Sequence, residues 1–192
     1  MGVDSDVARL RRGDLDALSD LITRYQNRLY RYLLRMVRQP SEAEDLFQQT
    51  WLRVVERIRS FDPKRSFEAW LFTVARNLAI DHLRRVRPES LDEPTSDAAS
   101  SESAADRLTS REPAPFDRAF ASERSSQVAS AVAELPVMYR DVLALRFEEE
   151  MKIEEIAQVV GAPLSTVKTR LRRSLEQLRR GLETRYPGES WQ

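Results

Sequence analysis

The chain has 192 residues, with 31 basic and 31 acidic side chains, no cysteine and one histidine. Without cysteine there is no disulfide framework, thiolate zinc site or cysteine nucleophile, and one histidine makes a histidine-based metal cluster unexpected. The zero net charge hides a division: residues 1–87 carry 17 basic and 12 acidic groups, 88–127 carry 4 and 9, and 128–192 carry 10 of each. The positive charge is local, and local fields are what steer a polyanion. The N-terminal stretch lacks the apolar core of a signal peptide. Its Ser5 lies one place too early for a myristoylation pattern. No stretch approaches the roughly 20 apolar residues of a membrane span, so a cytoplasmic protein without membrane insertion is expected.

In chain order, a first helix is predicted over about 14–38. Leu15, Leu18, Ile22, Tyr25, Leu29, Tyr32 and Met36 recur at three-four spacing and form one stripe. Gln39-Pro40 ends it. A second helix runs from Ser41 to about residue 59, with Glu44 placed for a capping box. Its expected buried arc holds Leu46, Phe47, Trp51, Val54, Val55 and Ile58, and Leu52 lies at the centre of the polar arc formed by Asp45, Gln48, Gln49, Arg53 and Glu56. That leucine is either an incidental exposed residue or a partner-binding patch. Residues 60–66 read as a loop. A third helix over about 66–86 is apolar around more than half its circumference; the remaining strip carries Thr73, Arg76, Asn77, Ile80 and Arg84. A basic strip on a helix of this kind suits nucleic-acid backbone contact, or is simply a polar outer face. Trp51 and Trp70 sit at apolar positions, which favours core packing over base stacking.

Residues 88–127 are rich in Ser, Ala, Pro and acid, with few large apolar side chains. They bury too little to offset chain entropy, so a flexible acidic linker is expected, with short helical turns near 116–120. Beyond it the pattern predicts helices over about 125–134, 136–148 and 153–160, a turn at 161–164, and a long last helix over 165–185 capped by Ser165. Nothing alternates with period two for long. The expected fold is therefore all-α: two small helical domains, at 1–87 and 128–192, joined by the linker 88–127.

A short helix, a glycine-containing turn and a second helix form the helix-turn-helix pattern. In the last helix Val167, Leu171, Ser174, Leu175, Leu178 and Leu182 share one arc. The opposite arc holds Thr169, Arg172, Arg173, Glu176 and Arg180, with Thr166 and Lys168 at its margins. Such a helix presents its N-terminal residues to base edges, and arginine matches guanine O6 and N7 together. Ser165, Thr166, Lys168, Thr169, Arg172 and Arg173 are the candidate DNA contacts; the bland alternative is a solvated face. There is no glycine-rich phosphate loop and no carboxylate cluster facing a cleft, so an enzyme is not expected, and neither is a cofactor.

The stretches EAEDLFQQTWLRVVERI, FDPKRSFEAWLFTVARNLAIDHLRR and LPVMYRDVLALRFEEEMKIEEIAQVVGAPLSTVKTRLRRSLEQLR resemble bacterial sigma factors of the extracytoplasmic-function group, the small members of the sigma-70 family. The resemblance covers about 14–87 and 128–182. It implies a sigma2 helical bundle and a sigma4 helix-turn-helix domain. It implies core RNA polymerase as a partner, through its β′ clamp helices and β flap, together with promoter DNA. By the same resemblance, Asp45, Gln48, Gln49, Leu52 and Arg53 would meet the polymerase. Phe61, Lys64 and Arg65 would capture a base flipped from the -10 element, with Arg76, Asn77 and Arg84 on its upstream edge. The last helix would read the -35 element. Group members are commonly held by an anti-sigma factor, which makes one an expected partner. The competing expectation is a stand-alone helix-turn-helix regulator.

Overall fold

In the computed structural model residues 2–86 and 123–187 are described. Among them lie eight α-helices and no strand: α1 (Val3–Arg11), α2 (Asp16–Val37), α3 (Pro40–Arg57), α4 (Phe67–Val86), α5 (Glu123–Glu134), α6 (Val137–Leu143), α7 (Ile153–Val160) and α8 (Leu164–Arg185). A 3-10 turn at Ile58–Ser60 follows α3, and a π turn at Ala144–Glu148 continues α6. The expected turns near 116–120 and nearly all of the expected linker lie outside the described residues.

The sequence reading contained no α1. This helix has Asp4 and Asp6 in its first turn and Arg9 and Arg11 in its last, the charge order that favours the helix dipole, and it buries Val7 and Leu10. Its polar register is dense, so two buried apolar residues give only a faint periodicity. Arg9 ties it to the turn before α2 by donating to Asp14 at 2.8 Å.

The α2 stripe buries Leu21, Tyr25, Leu29, Tyr32 and Met36 as expected. Leu15, assigned to that stripe, precedes the helix and is exposed. Pro40, not Ser41, starts α3: it occupies the first turn with Gln39 as N-cap, so the Ser41–Glu44 capping box does not form. Ser66 does cap α4, its hydroxyl accepting from the Ala69 amide at 3.2 Å. The expected helix over 136–148 turns out to be an α-helix that relaxes into a π turn. Ser165 is likewise not a cap, because α8 already begins at Leu164 behind Pro163.

Helices α1, α2, α3 and α4 pack together, and α5, α6 and α7 pack against α8. The two groups also meet: α6 lies on α2 and α7 on α4, and one apolar cluster runs from Val7 in α1 to Leu171 in α8. This explains the wide apolar circumference of α4, which serves both groups.

Gly161 ends α7 with φ 63°, in the left-handed region. A Cβ there would touch nothing within 4 Å, so Gly161→Ala should cost only the backbone strain, about 1 kcal/mol of stability in denaturant titration.

Candidate nucleic-acid and polymerase interfaces

The turn Gly161-Ala162-Pro163 aims α8 so that Val167, Leu171, Ser174 and Leu182 are buried. Ser174 fits this apolar arc because its hydroxyl donates to the Leu171 carbonyl at 2.8 Å. Ser165, Lys168, Thr169, Arg172 and Arg173 are exposed, and Thr166 is half-buried at the margin. Between 165 and 180 the helix carries six basic residues against the single acid Glu176. Arg172 donates to Glu176 at 2.7 Å, one turn away. An exposed pair of this kind contributes about 0.3–0.5 kcal/mol, too little to hold the guanidinium back from a phosphate or guanine edge.

The loop after α3 is preformed. Asp62 accepts from the Lys64 amide at 3.0 Å, and its carbonyl accepts from the Arg65 amide at 3.0 Å. Lys64 and Arg65 both stand in solvent. Phe61 does not stand beside them. It is 4 % exposed, and its ring lies 5.9 Å from Phe67 and 5.0 Å from Trp70. Phe61, expected to meet a flipped base, is packed here into an aromatic cluster, which Tyr25 joins against Phe67 at 5.8 Å and which anchors the base of the loop. Trp51 is also a core residue, edge-on to Phe47.

On α4, Asn77 and Arg84 are exposed. Arg76 is not presented to solvent in this arrangement. It is 15 % exposed and donates to Asp141 of α6 at 2.6 Å. Burial works against the Arg76 charge, but Asp141 more than offsets it, and the guanidinium pKa is raised. Asp141, 1 % exposed, also accepts from the Tyr32 hydroxyl at 2.8 Å. Burial, reinforced by Asp141, pushes the Tyr32 phenol well above its ordinary value, so it keeps its proton and donates.

This is one of several polar links between the two helix groups. Arg28 donates to Glu149 at 2.7 Å and also pairs with Glu68. Arg35 donates to Glu148 at 3.0 Å. Arg140 donates to the Met36 carbonyl at 3.1 Å, satisfying one of the open carbonyls at the end of α2. Burial raises the Glu149 carboxyl above its ordinary value, with Arg28 pulling the other way. None of these links was read from the sequence. The only signal was the concentration of acids at 148–150 opposite a basic first block.

On α3, Leu52 is 64 % exposed, and Asp45, Gln48, Gln49 and Arg53 surround it in solvent. Val55, expected in the buried arc, is 39 % exposed and extends the apolar patch by one turn. It escapes burial because α3 is covered along the line of Ala43, Leu46, Thr50, Trp51 and Val54. An exposed aromatic that the sequence did not single out is Phe147, in the π turn. Among the described residues there is no cluster of three potential metal ligands and no helix long and apolar enough to cross a membrane.

Comparison with known proteins accounts for both helix groups. The family description "Sigma-70 region 2" matches residues 21–89 and "Sigma-70, region 4" matches residues 125–178. The chain is 30 % identical over 182 residues to the ECF RNA polymerase sigma factor SigW of Bacillus subtilis, covering 95 % of this chain and 97 % of SigW. It is 33 % identical to the RNA polymerase sigma factor CarQ of Myxococcus xanthus, covering 89 % and 92 % of the two chains. In fold it is similar to the sigma factor RpoE of Bartonella quintana, solved with the anti-sigma factor NepR, at a TM-score of 0.66 and 22 % identity over 86 % of this chain and 96 % of that one. Two matched regions in this order leave the stand-alone regulator without support. The chain belongs to the extracytoplasmic-function group of the sigma-70 family: it is an alternative sigma factor that binds core RNA polymerase and directs promoter-specific transcription.

Proposed function

We propose a division of labour along the chain. The first domain, 1–87, docks on the polymerase clamp through Leu52, Val55 and the polar ring of Asp45, Gln48, Gln49 and Arg53. It engages the -10 element through Lys64, Arg65, Asn77 and Arg84, joined by Arg76 when that residue is free. The domain 128–192 reads the -35 element with α8. The segment 88–127 tethers them. The observation that carries the reading is the α8 face: five exposed polar or cationic side chains at the helix start, backed by an apolar arc that fixes their direction. No step in this function requires a catalytic group, and the work takes place in the cytoplasm, where the polymerase is. An anti-sigma factor is proposed as its regulator, as in the NepR complex of the structural relative.

The assignment is tested by exchanging residues and promoter blocks together. Arg172→Ala and Arg173→Ala should each reduce holoenzyme binding to an intact promoter about tenfold to a hundredfold, the loss of one bidentate base contact. The reduction should disappear on templates whose upstream block is already scrambled. Arg84→Ala should show the reverse dependence, on the downstream block. Equal losses on both templates would overturn the assignment.

A further inference from the structure

Helix α1 packs against the 3-10 turn Ile58–Ser60 and against α4. It lies before residues 21–89, the span matched by the region 2 description. The C-terminal end of α1 and that turn enclose an open recess lined by Ala8, Arg11, Arg12 and Arg59. Arg12 and Arg59 are exposed and Arg11 is half-buried. Among the described residues none of these three arginines pairs with a carboxylate. The acids around them are engaged elsewhere. Asp6, Asp14 and Asp20 are drawn to Arg9, and Asp6 also to Arg24. Glu56 accepts from Arg53, and Asp62 accepts from the Lys64 amide. Basic residues at the end of a helix complement its dipole, which accounts for Arg11 and Arg12. It does not account for Arg59, which comes from another element and lines the same space. Three cations around one recess repel one another, and an anion between them reverses that cost.

We propose that this recess holds backbone phosphates of the unpaired promoter strand, just downstream of the -10 element. The inference rests on the reading above, in which Asn77 and Arg84 take the upstream edge of that element and the loop after α3 takes the flipped base. Arg84 lies at the end of α4 away from the loop, so the strand runs along α4 toward the loop. Arg59 stands two residues before Phe61, whose ring is fixed against Phe67 and Trp70. The base of the loop is thereby held to the turn that carries Arg59. A strand leaving the loop, where Lys64 and Arg65 stand in solvent, next meets Arg59, Arg12 and Arg11. Phosphate is the group that suits them, because the guanidinium fork binds its oxygens in pairs. No aromatic side chain lines the recess to stack a base. The contact is therefore indifferent to base sequence, unlike those of the loop and α8. A strand anchored there cannot re-pair with its complement beside the flipped base, so α1 contributes to keeping the promoter open.

The test uses holoenzyme assembled from core RNA polymerase and the full chain, with two forked templates that share one upstream duplex. In the short template the unpaired strand stops at the downstream edge of the -10 element; in the long one it continues a few nucleotides further. The unsubstituted chain should gain about tenfold in affinity from the extension. A chain carrying Arg11→Ala, Arg12→Ala and Arg59→Ala should lose most of that gain. Its log–log salt slope on the long template should also shrink by about 2, for three phosphate contacts at roughly 0.7 each. The corresponding triple lysine chain should keep the gain to within about threefold, since a phosphate answers to charge where a base edge needs the fork. Equal gains in the unsubstituted and alanine chains would assign the extra affinity to core enzyme and overturn the proposal. So would a long template with uncharged methylphosphonate linkages in the extension that binds as tightly as the charged one. Titration of the free chain with pyrophosphate covers a small-anion occupant: binding that needs the three arginines, with no effect of the strand extension, also overturns the proposal. If the short template binds no better than one with a scrambled downstream block, the -10 reading itself fails and this proposal with it.

Discussion

Leu52→Asp is expected to weaken binding to core RNA polymerase at least tenfold while leaving far-ultraviolet circular dichroism and the unfolding midpoint unchanged. The two halves of that expectation have separate causes. Leu52 is nearly two-thirds exposed and contributes little to the core, so introducing a charge there removes no internal packing. At a partner surface the same side chain is the apolar centre of a polar ring, the arrangement in which one residue carries more than 2 kcal/mol of binding. A buried aspartate without a partner adds a desolvation penalty to the lost contact. Val55→Asp should act in the same direction with a smaller effect, since Val55 is less exposed and lies a turn away. Equilibrium binding of labelled chain to core enzyme gives the comparison. Unchanged affinity for both variants would make the patch incidental.

Phe72→Ala is expected to destabilise the protein by about 3–5 kcal/mol. Phe72 is fully buried in α4, with its ring edge-on to Tyr32 at 5.2 Å. Removing it opens a cavity beside the phenol that donates to Asp141, so packing and the polar contact between the domains are both loosened. Against a total stability of about 5–15 kcal/mol, this removes a large share, and the thermal midpoint should fall by about 6–20 °C. Denaturant titration of the full chain measures it. A loss below about 1 kcal/mol would mean that the core around Tyr32 repacks without strain. Tyr32→Phe offers a contrast: it keeps the ring contact and removes only the hydroxyl that donates to the buried Asp141 carboxylate, so it should cost about 1.5–3 kcal/mol while favouring separation of the domains.

The helices were legible where periodicity is long. The stripe of α2, the apolar arc of α8 and the left-handed glycine between α7 and α8 follow from spacing and from the φ that only glycine adopts freely. Two short features were not legible, although the eight-residue α7 was. In α1 two buried apolar residues and a buried Asp6 do not make a pattern, and the relaxation of α6 into a π turn leaves no mark on composition. Caps failed where a proline overrode the polar candidate, at Pro40 before Ser41 and at Pro163 before Ser165.

For the candidate sites, the exposed residues were readable from the helical wheel because α3 and α8 each bury one side. Phe61 and Arg76 were not. Phe61 lies in a loop, where periodicity says nothing, and its aromatic neighbours Phe67 and Trp70 come from α4, with Tyr25 of α2 joining through Phe67. Arg76 lies on the correct strip of α4, but its partner Asp141 is 65 residues away. A helical wheel treats everything opposite the local core as solvent, and here a second domain occupies that side. The apolar excess of α4, including Ile80 within its polar strip, was the available sign that another surface covers it.

The central claim is that one chain reads two separated promoter blocks only when polymerase holds it. The most direct measurement is transcription by purified core RNA polymerase on a randomised promoter library, with and without the chain, followed by sequencing of the active templates. The account predicts initiation only when the chain is added. It also predicts active templates that share an upstream and a downstream block at a fixed separation, with loss of either block sharply reducing transcript. No gain in initiation, or enrichment of a single block at no fixed distance from the start site, would contradict it.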